Sequence, residues 1–162
     1  MPRVPDSRLA TLKRRAQRAA SLAYAPYSGF AVGAAVLTDK GEIFAGANVE
    51  NVSYGLSMCA ERNAIQQAAA HGARRIAAIV VYTPTSQPTP PCGACRQVLA
   101  EFGSDTLVLC CSKGGEIRRH HLRELLPDAF GAHDIGLKRT VSAGGASARS
   151  ATQHRKSRRR RS

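Results

Sequence analysis

The chain has 162 residues, 43% of them hydrophobic, and a formal net charge of +13. That length and apolar share suit one globular domain with its own core. No apolar run approaches the ~20 residues of a membrane span, and the N-terminus lacks the apolar segment of a secretory signal, so the expectation is a soluble cytoplasmic protein. The charge is uneven. Nine of the 24 Lys/Arg residues fall at or after Lys138, where there is no Asp or Glu, which leaves 15 basic against 11 acidic residues elsewhere. Two units are therefore expected: a domain over 1–137 and a disordered basic tail over 138–162, too poor in large apolar residues to offset the entropy of ordering.

In chain order, Leu9, Leu12, Ala16, Ala19 and Leu22 or Ala23 recur at steps of three and four, the mark of an amphipathic helix. "YAPYSG" ends it. "FAVGAAVLTD" and "EIFAGANVE" read as strands joined by a "DKG" turn, with Phe30 opening the first and Asn48 and Glu50 ending the second. A helix follows from about Met58 to His71 and stops at Gly72. "RIAAIVVYT" is a buried strand and "PTSQPTPP" a proline-rich loop. A helix then begins near Cys92 and stops at Gly103. "DTLVLCC" and "EIRRH" are two further strands around a "KGG" turn, and "HLRELLPDAF" is a last short helix ended by Pro127. Helices placed between strands argue for one sheet covered on both faces.

Five cysteines in a chain with no export signal should be reduced. Cys110 and Cys111 sit inside an apolar strand and read as small buried hydrophobes. The other three differ. Cys92 and Cys95 share the first turn of one helix, and Cys59 begins another. Helix N-termini stabilise thiolates, so two such starts converging on one cation is a physically sound arrangement. Three thiolates without a fourth protein ligand leave a position open for water, as a catalytic zinc requires. None of the five histidines has ligand spacing to these cysteines. A lone Cys-x-x-Cys is as readily core or redox, and the pairing with Cys59-Ala60-Glu61 is what favours a metal.

Cys59-Ala60-Glu61 followed by Pro91-Cys92-Gly93-Ala94-Cys95 is the three-cysteine form of the zinc nucleobase-deaminase signature. With "PYSGFAVGAAV", "NVENVSYGL", "CAERNA", "PCGACRQVLAEF" and "LLPDAF" in order, the chain resembles the small cytidine deaminases over about residues 8–131. The resemblance implies a three-layer α/β/α sandwich around a five-stranded mixed sheet, assembled as a homotetramer with one zinc per subunit. It implies hydrolytic deamination of cytidine and 2′-deoxycytidine to uridine and 2′-deoxyuridine. Cys59, Cys92 and Cys95 would hold zinc, whose hydroxide attacks C4 of the ring, and Glu61 would shuttle the protons.

The resemblance also places the Asn48 and Glu50 side chains on the ribose 3′-hydroxyl, Phe30 against the pyrimidine ring, and backbone of Ala60 and Pro91 near the base. Phe130 would complete the pocket of a neighbouring subunit. Three thiolates on Zn²⁺ leave one net negative charge, and Arg62, one helical turn from Cys59, is placed to offset it. On residue type alone, Phe30 reads better as core and Asn48 and Glu50 equally as loop entry, while a solvated surface charge is the lesser reading of Arg62. Three other functions compete. A deaminase of another aminopyrimidine such as blasticidin S fits "NVEN" and Phe30 less well. A nucleic-acid-editing or nucleic-acid-binding protein would use "RKSRRRR" for weak, nonspecific, salt-sensitive contact, yet that run has no aromatic residue for base stacking. A purely structural zinc module needs a fourth ligand that the sequence does not offer.

Overall fold

The first helix follows from its apolar spacing. α1 spans Asp6–Ala20, with Asp6 in its first turn and Arg18 in its last, a charge order that complements the helix dipole. It buries Leu9, Leu12, Ala16, Ala19 and Ala20, and leaves Arg14, Arg15 and Arg18 in solvent. It ends before the spacing does, and Leu22 is 74% exposed. The computed structural model describes residues 4–137. The expected basic tail, with its disorder and its nucleic-acid contact, lies outside the described residues.

Five strands follow: β1 (Gly33–Thr38), β2 (Ile43–Ala47), β3 (Ile76–Thr83), β4 (Leu107–Ser112) and β5 (Ile117–His121). They form one sheet in the order β2-β1-β3-β4-β5. β3 and β4 are parallel and the other neighbours antiparallel, so the sheet is mixed, as expected. The central strands read as continuous apolar runs because both their faces are covered. The edge strand β5 instead carries exposed Arg118 and Arg119, charges that discourage further strand pairing.

One face of the sheet presents Ala35, Leu37, Ala78, Val80, Leu109 and Cys111 to α1. The other presents Ala34, Val36, Ile79, Val81, Val108 and Cys110 to α2 (Ala60–Ala70), α3 (Gly93–Phe102) and the one-turn α4 (Leu122–Leu125). The result is the expected α/β/α sandwich. Two glycines set how closely its layers approach. A Cβ on Gly33 would stand 2.0 Å from the Ala16 carbonyl oxygen of α1. A Cβ on Gly46 would stand 2.6 Å from the Ala64 nitrogen and 2.9 Å from the Ala60 carbonyl oxygen of α2.

Three boundaries differ from the sequence reading. Phe30 lies in the loop before β1 and does not open the strand. Asn48 and Glu50 follow β2 and do not end it. The cause is side-chain substitution for the ladder: Asn48 Oδ1 accepts from the Val32 N–H at 2.8 Å, and Asn48 Nδ2 donates to the Phe30 carbonyl at 2.8 Å. The last helix is a single turn, since Pro127 disfavours helical backbone at Leu126.

Candidate active site and metal centre

Two helix starts meet on one face of the sheet. Cys59 is the N-cap of α2, Cys92 is the N-cap of α3, and Cys95 lies in the first turn of α3. Their sulfurs all lie within 4.8 Å of one another, with Cys59 Sγ and Cys92 Sγ 4.0 Å apart. Tetrahedral zinc with Zn–S near ~2.3 Å separates its sulfurs by roughly 3.8 Å, so the spacing and the donor type both fit zinc. Among the described residues this is the one group of three or more ligand side chains so arranged. Neither N-cap thiol caps its own helix, which leaves both free for a ligand.

The thiols are electrostatically coupled. Hydrogen bonding from Cys95, then the Arg62 guanidinium, lowers the Cys59 thiol to about 5. Cys95 moves the opposite way, through the same bond to Cys59 and through burial. The two opposite displacements come from that one contact, which favours a thiolate on Cys59 and a proton on Cys95. A divalent cation would displace that proton and leave thiolates. Arg62 Nη2 stands 3.6 Å from Cys59 Sγ and donates to the Ser57 carbonyl at 3.2 Å. The arginine is therefore held against the thiol cluster, as the charge argument expects, and is not a solvated surface cation. Cys110 and Cys111 are buried in β4 as expected, and burial pushes both thiols up, Cys110 to about 11.

Glu61, in the first turn of α2, is 6% exposed. Burial raises its carboxyl above the ordinary value, and the charge of Cys59 adds to the shift. It opens onto a cavity of about 220 Å³, lined by Phe30, Val32, Asn48, Cys59, Ala60, Glu61, Val81, Thr83, Thr89, Pro90 and Cys92. The cavity brings together most of the expected site, and its base wall uses Pro90 where the sequence pointed to Pro91. Glu50 and Phe130 are not among its lining residues. The Glu50 carboxylate accepts from the Tyr27 and Ser28 N–H groups at 2.9 and 3.1 Å and from the Ser28 hydroxyl. The hydroxyl bond is the main cause that holds its pKa below the ordinary carboxylate value. Asn48 and Glu50 together thus clamp the loop that carries Phe30. Phe130 is 62% exposed, and its carbonyl accepts from Gln97 Nε2 at 2.8 Å.

Four contributors escaped the sequence reading. Thr83 and Thr89 line the cavity, and nothing in their residue type signals it. Ser28 anchors Glu50. Arg96 donates to the Pro91 carbonyl at 2.8 Å and to the Leu125 carbonyl at 2.9 Å, which fixes the segment entering Cys92. Its place four residues after Cys92 was the available clue.

Comparison with known proteins agrees with this geometry. Residues 6–111 match the family described as the cytidine and deoxycytidylate deaminase zinc-binding region. Cytidine deaminase from Halalkalibacterium halodurans is 49% identical over 125 residues, which are 76% of this chain and 95% of that protein. Cytidine deaminase from Mycobacterium tuberculosis is 43% identical over 136 residues, 84% of this chain and 99% of its own. A crystal structure of cytidine deaminase from Burkholderia pseudomallei superposes with a TM-score of 0.72 at 48% identity, covering 75% of this chain and 98% of that one. With the match spanning both cysteine segments and the sheet between them, the chain belongs to the cytidine and deoxycytidylate deaminase family.

Proposed function

We propose that the protein removes the 4-amino group of cytidine and 2′-deoxycytidine by hydrolysis, releasing uridine or 2′-deoxyuridine and ammonia. The observation that carries this is Glu61: a buried carboxyl, its acidity weakened by burial, beside a three-thiol cluster in an apolar cavity. Zinc, held by Cys59, Cys92 and Cys95, supplies the Lewis-acid activation that makes water a nucleophile near neutral pH. Glu61 would accept one proton from the attacking water and pass it to ring N3, then accept the second from the new C4 hydroxyl and deliver it to the departing amine. A carboxyl that must alternate between base and acid works best when its pKa lies near the working pH, the direction in which burial moves it. Phe30 stacks on the ring, the Ala60 backbone contacts the base, and Asn48 and Glu50 meet the ribose 3′-hydroxyl. Arg62 offsets the charge of the thiolates.

The contact of Asn48 and Glu50 to a free ribose 3′-hydroxyl, which a polynucleotide has esterified, weighs against an editing function. Five unpaired cysteines suit the cytoplasm, and among the described residues no helix is long and apolar enough to cross a membrane. The enzyme works as a homotetramer in which Phe130 of one copy reaches the cavity of another. Two features support this: the exposure of Phe130, and an exposed apolar rim formed by Tyr24, Tyr27, Val52, Tyr54 and Leu56. The rim is tied together by the Tyr24–Val49 bridge and the edge-on Tyr27–Tyr54 ring pair, with centroids 6.0 Å apart.

Incubation with cytidine, followed by the ultraviolet change to uridine, tests the proposal. Wild-type protein is expected to turn over. Glu61→Ala should lose about a thousandfold or more while keeping its zinc, as for removal of a proton-transfer group. Absence of uridine from zinc-loaded wild-type protein would overturn the function.

A further inference from the structure

The cavity wall next to Cys92 is made by the loop 83–91, "TPTSQPTPP". Three threonine hydroxyls in it form a connected group. Thr85 Oγ1 donates to the Gln87 carbonyl at 2.6 Å. It also lies 2.7 Å from Thr83 Oγ1 and 3.3 Å from Thr89 Oγ1. A hydroxyl has one proton and two lone pairs. A carbonyl cannot donate, so the single proton of Thr85 is committed to Gln87. Thr83 and Thr89 must then be the donors in their bonds to Thr85. Their protons are consumed, and the two threonines that line the cavity keep only lone pairs for a ligand.

Pro90, the other loop residue on this wall, has no N–H to donate, and Pro84, Pro88 and Pro91 leave the loop behind it poor in donors as well. The Lys113 N–H is occupied by the Thr83 and Thr85 carbonyls, both at 3.1 Å, which fixes the loop against the turn after β4.

We propose that the Thr83–Thr85–Thr89 hydroxyl network makes this wall acceptor-only, and that the wall selects the 4-amino ring of the substrate over the 4-oxo ring of the product. This rests on the function proposed above. Cytosine presents N–H donors at position 4, which an acceptor wall receives. Uracil presents a carbonyl oxygen there, which meets lone pairs without a proton between them. A mismatch of one such hydrogen bond changes relative affinity by about fivefold or more. Thr85 is the positioning residue: it contacts neither zinc ligand nor cavity, and acts by fixing which way two other protons point.

The readout is the ratio of the uridine inhibition constant to the cytidine KM. Thr85→Val removes the acceptor and frees the Thr83 and Thr89 protons to turn toward the cavity. The ratio should fall about fivefold or more, chiefly through tighter uridine binding. Thr85→Ser keeps the hub and should keep the wild-type ratio. An unchanged ratio in Thr85→Val, or an equal fall in Thr85→Ser, overturns the proposal. Should Thr85→Val fail to fold, Thr89→Val at its half-buried position removes one acceptor. It should raise the cytidine KM and lower the ratio at least twofold, and no change there overturns the proposal as well. Failure of the underlying function looks different: wild-type protein makes no uridine from cytidine. Calorimetric titration with the two nucleosides then tests the wall directly, and uridine binding as tightly as cytidine overturns it.

Discussion

Arg62 offers one guanidinium nitrogen to both the Cys59 sulfur and the Ser57 carbonyl, and its Nε is buried without a partner among the described residues. A surface arginine would not give up hydration for so little, so its worth lies in the charge it brings to three thiolates. Arg62→Ala should lower kcat about tenfold with the cytidine KM within about threefold, read from steady-state kinetics at full zinc content. Arg62→Lys should recover only part of the loss, because an ammonium is more strongly hydrated than a guanidinium and gives up water less readily at this half-buried position. Cys110 exposes a different residue-level effect. Burial raises its thiol to about 11, above the ~8.5 of an unfolded chain. The stability this provides is complete below the unfolded value and is lost as pH climbs toward 11, since the unfolded chain then releases a proton that the folded one retains. Cys110→Ala should therefore lose about 1–2 kcal/mol less than wild type between pH 8 and pH 10 in urea titrations. At this scale the placement of the proposed site was legible in the sequence: Cys59, Glu61, Cys92 and Cys95 were expected at two helix starts, and the fold brings those starts together. Thr83 and Thr89 were not legible, because their contribution depends on proton direction, which the Gln87 carbonyl decides.

α2 and α3 are brought together at their N-termini, and the cysteines that join them are 33 positions apart. A metal bridge between Cys59 and Cys92 closes a loop of that length. By analogy with a covalent closure, this contributes about 3–4 kcal/mol against the unfolded chain. Chelation should accordingly lower Tm by about 10 °C, and zinc should restore it. Scanning calorimetry with and without chelator checks this, and an unmoved Tm contradicts it. Helix and strand types were readable because periodicity and flanking glycines mark them. Ends were harder. The first hairpin looked longer than it is, since at Asn48, where the ladder stops, the backbone still bonds the Val32 carbonyl while the side chain takes the return bond from the Val32 N–H. The final helix looked longer because Leu125 and Leu126 continue the apolar pattern while Pro127 forbids the backbone.

For the whole molecule, the order of elements was enough to predict a sheet covered on both faces, because each crossover must carry its helix to one side. The proposed association of copies was not readable from pattern, since Tyr24, Val52, Tyr54 and Leu56 sit in loops where single apolar residues are ordinary. Leu56, 69% exposed, makes the proposed assembly testable without disturbing the core. Leu56→Glu should yield smaller species in sedimentation and at least tenfold lower kcat, whereas full mass with full activity would remove the apolar rim from the interface. Gly46 carries a consequence of another kind. Any side chain there meets the backbone of Ala60 and Ala64, which cannot rotate aside, at the end of α2 that carries Cys59 and Glu61. A map of tolerated substitutions should therefore rank this glycine with the thiols, although it touches neither substrate nor metal. A missing methyl on the edge of the sheet thus sets how closely the start of α2, with the reactive groups it carries, approaches β2.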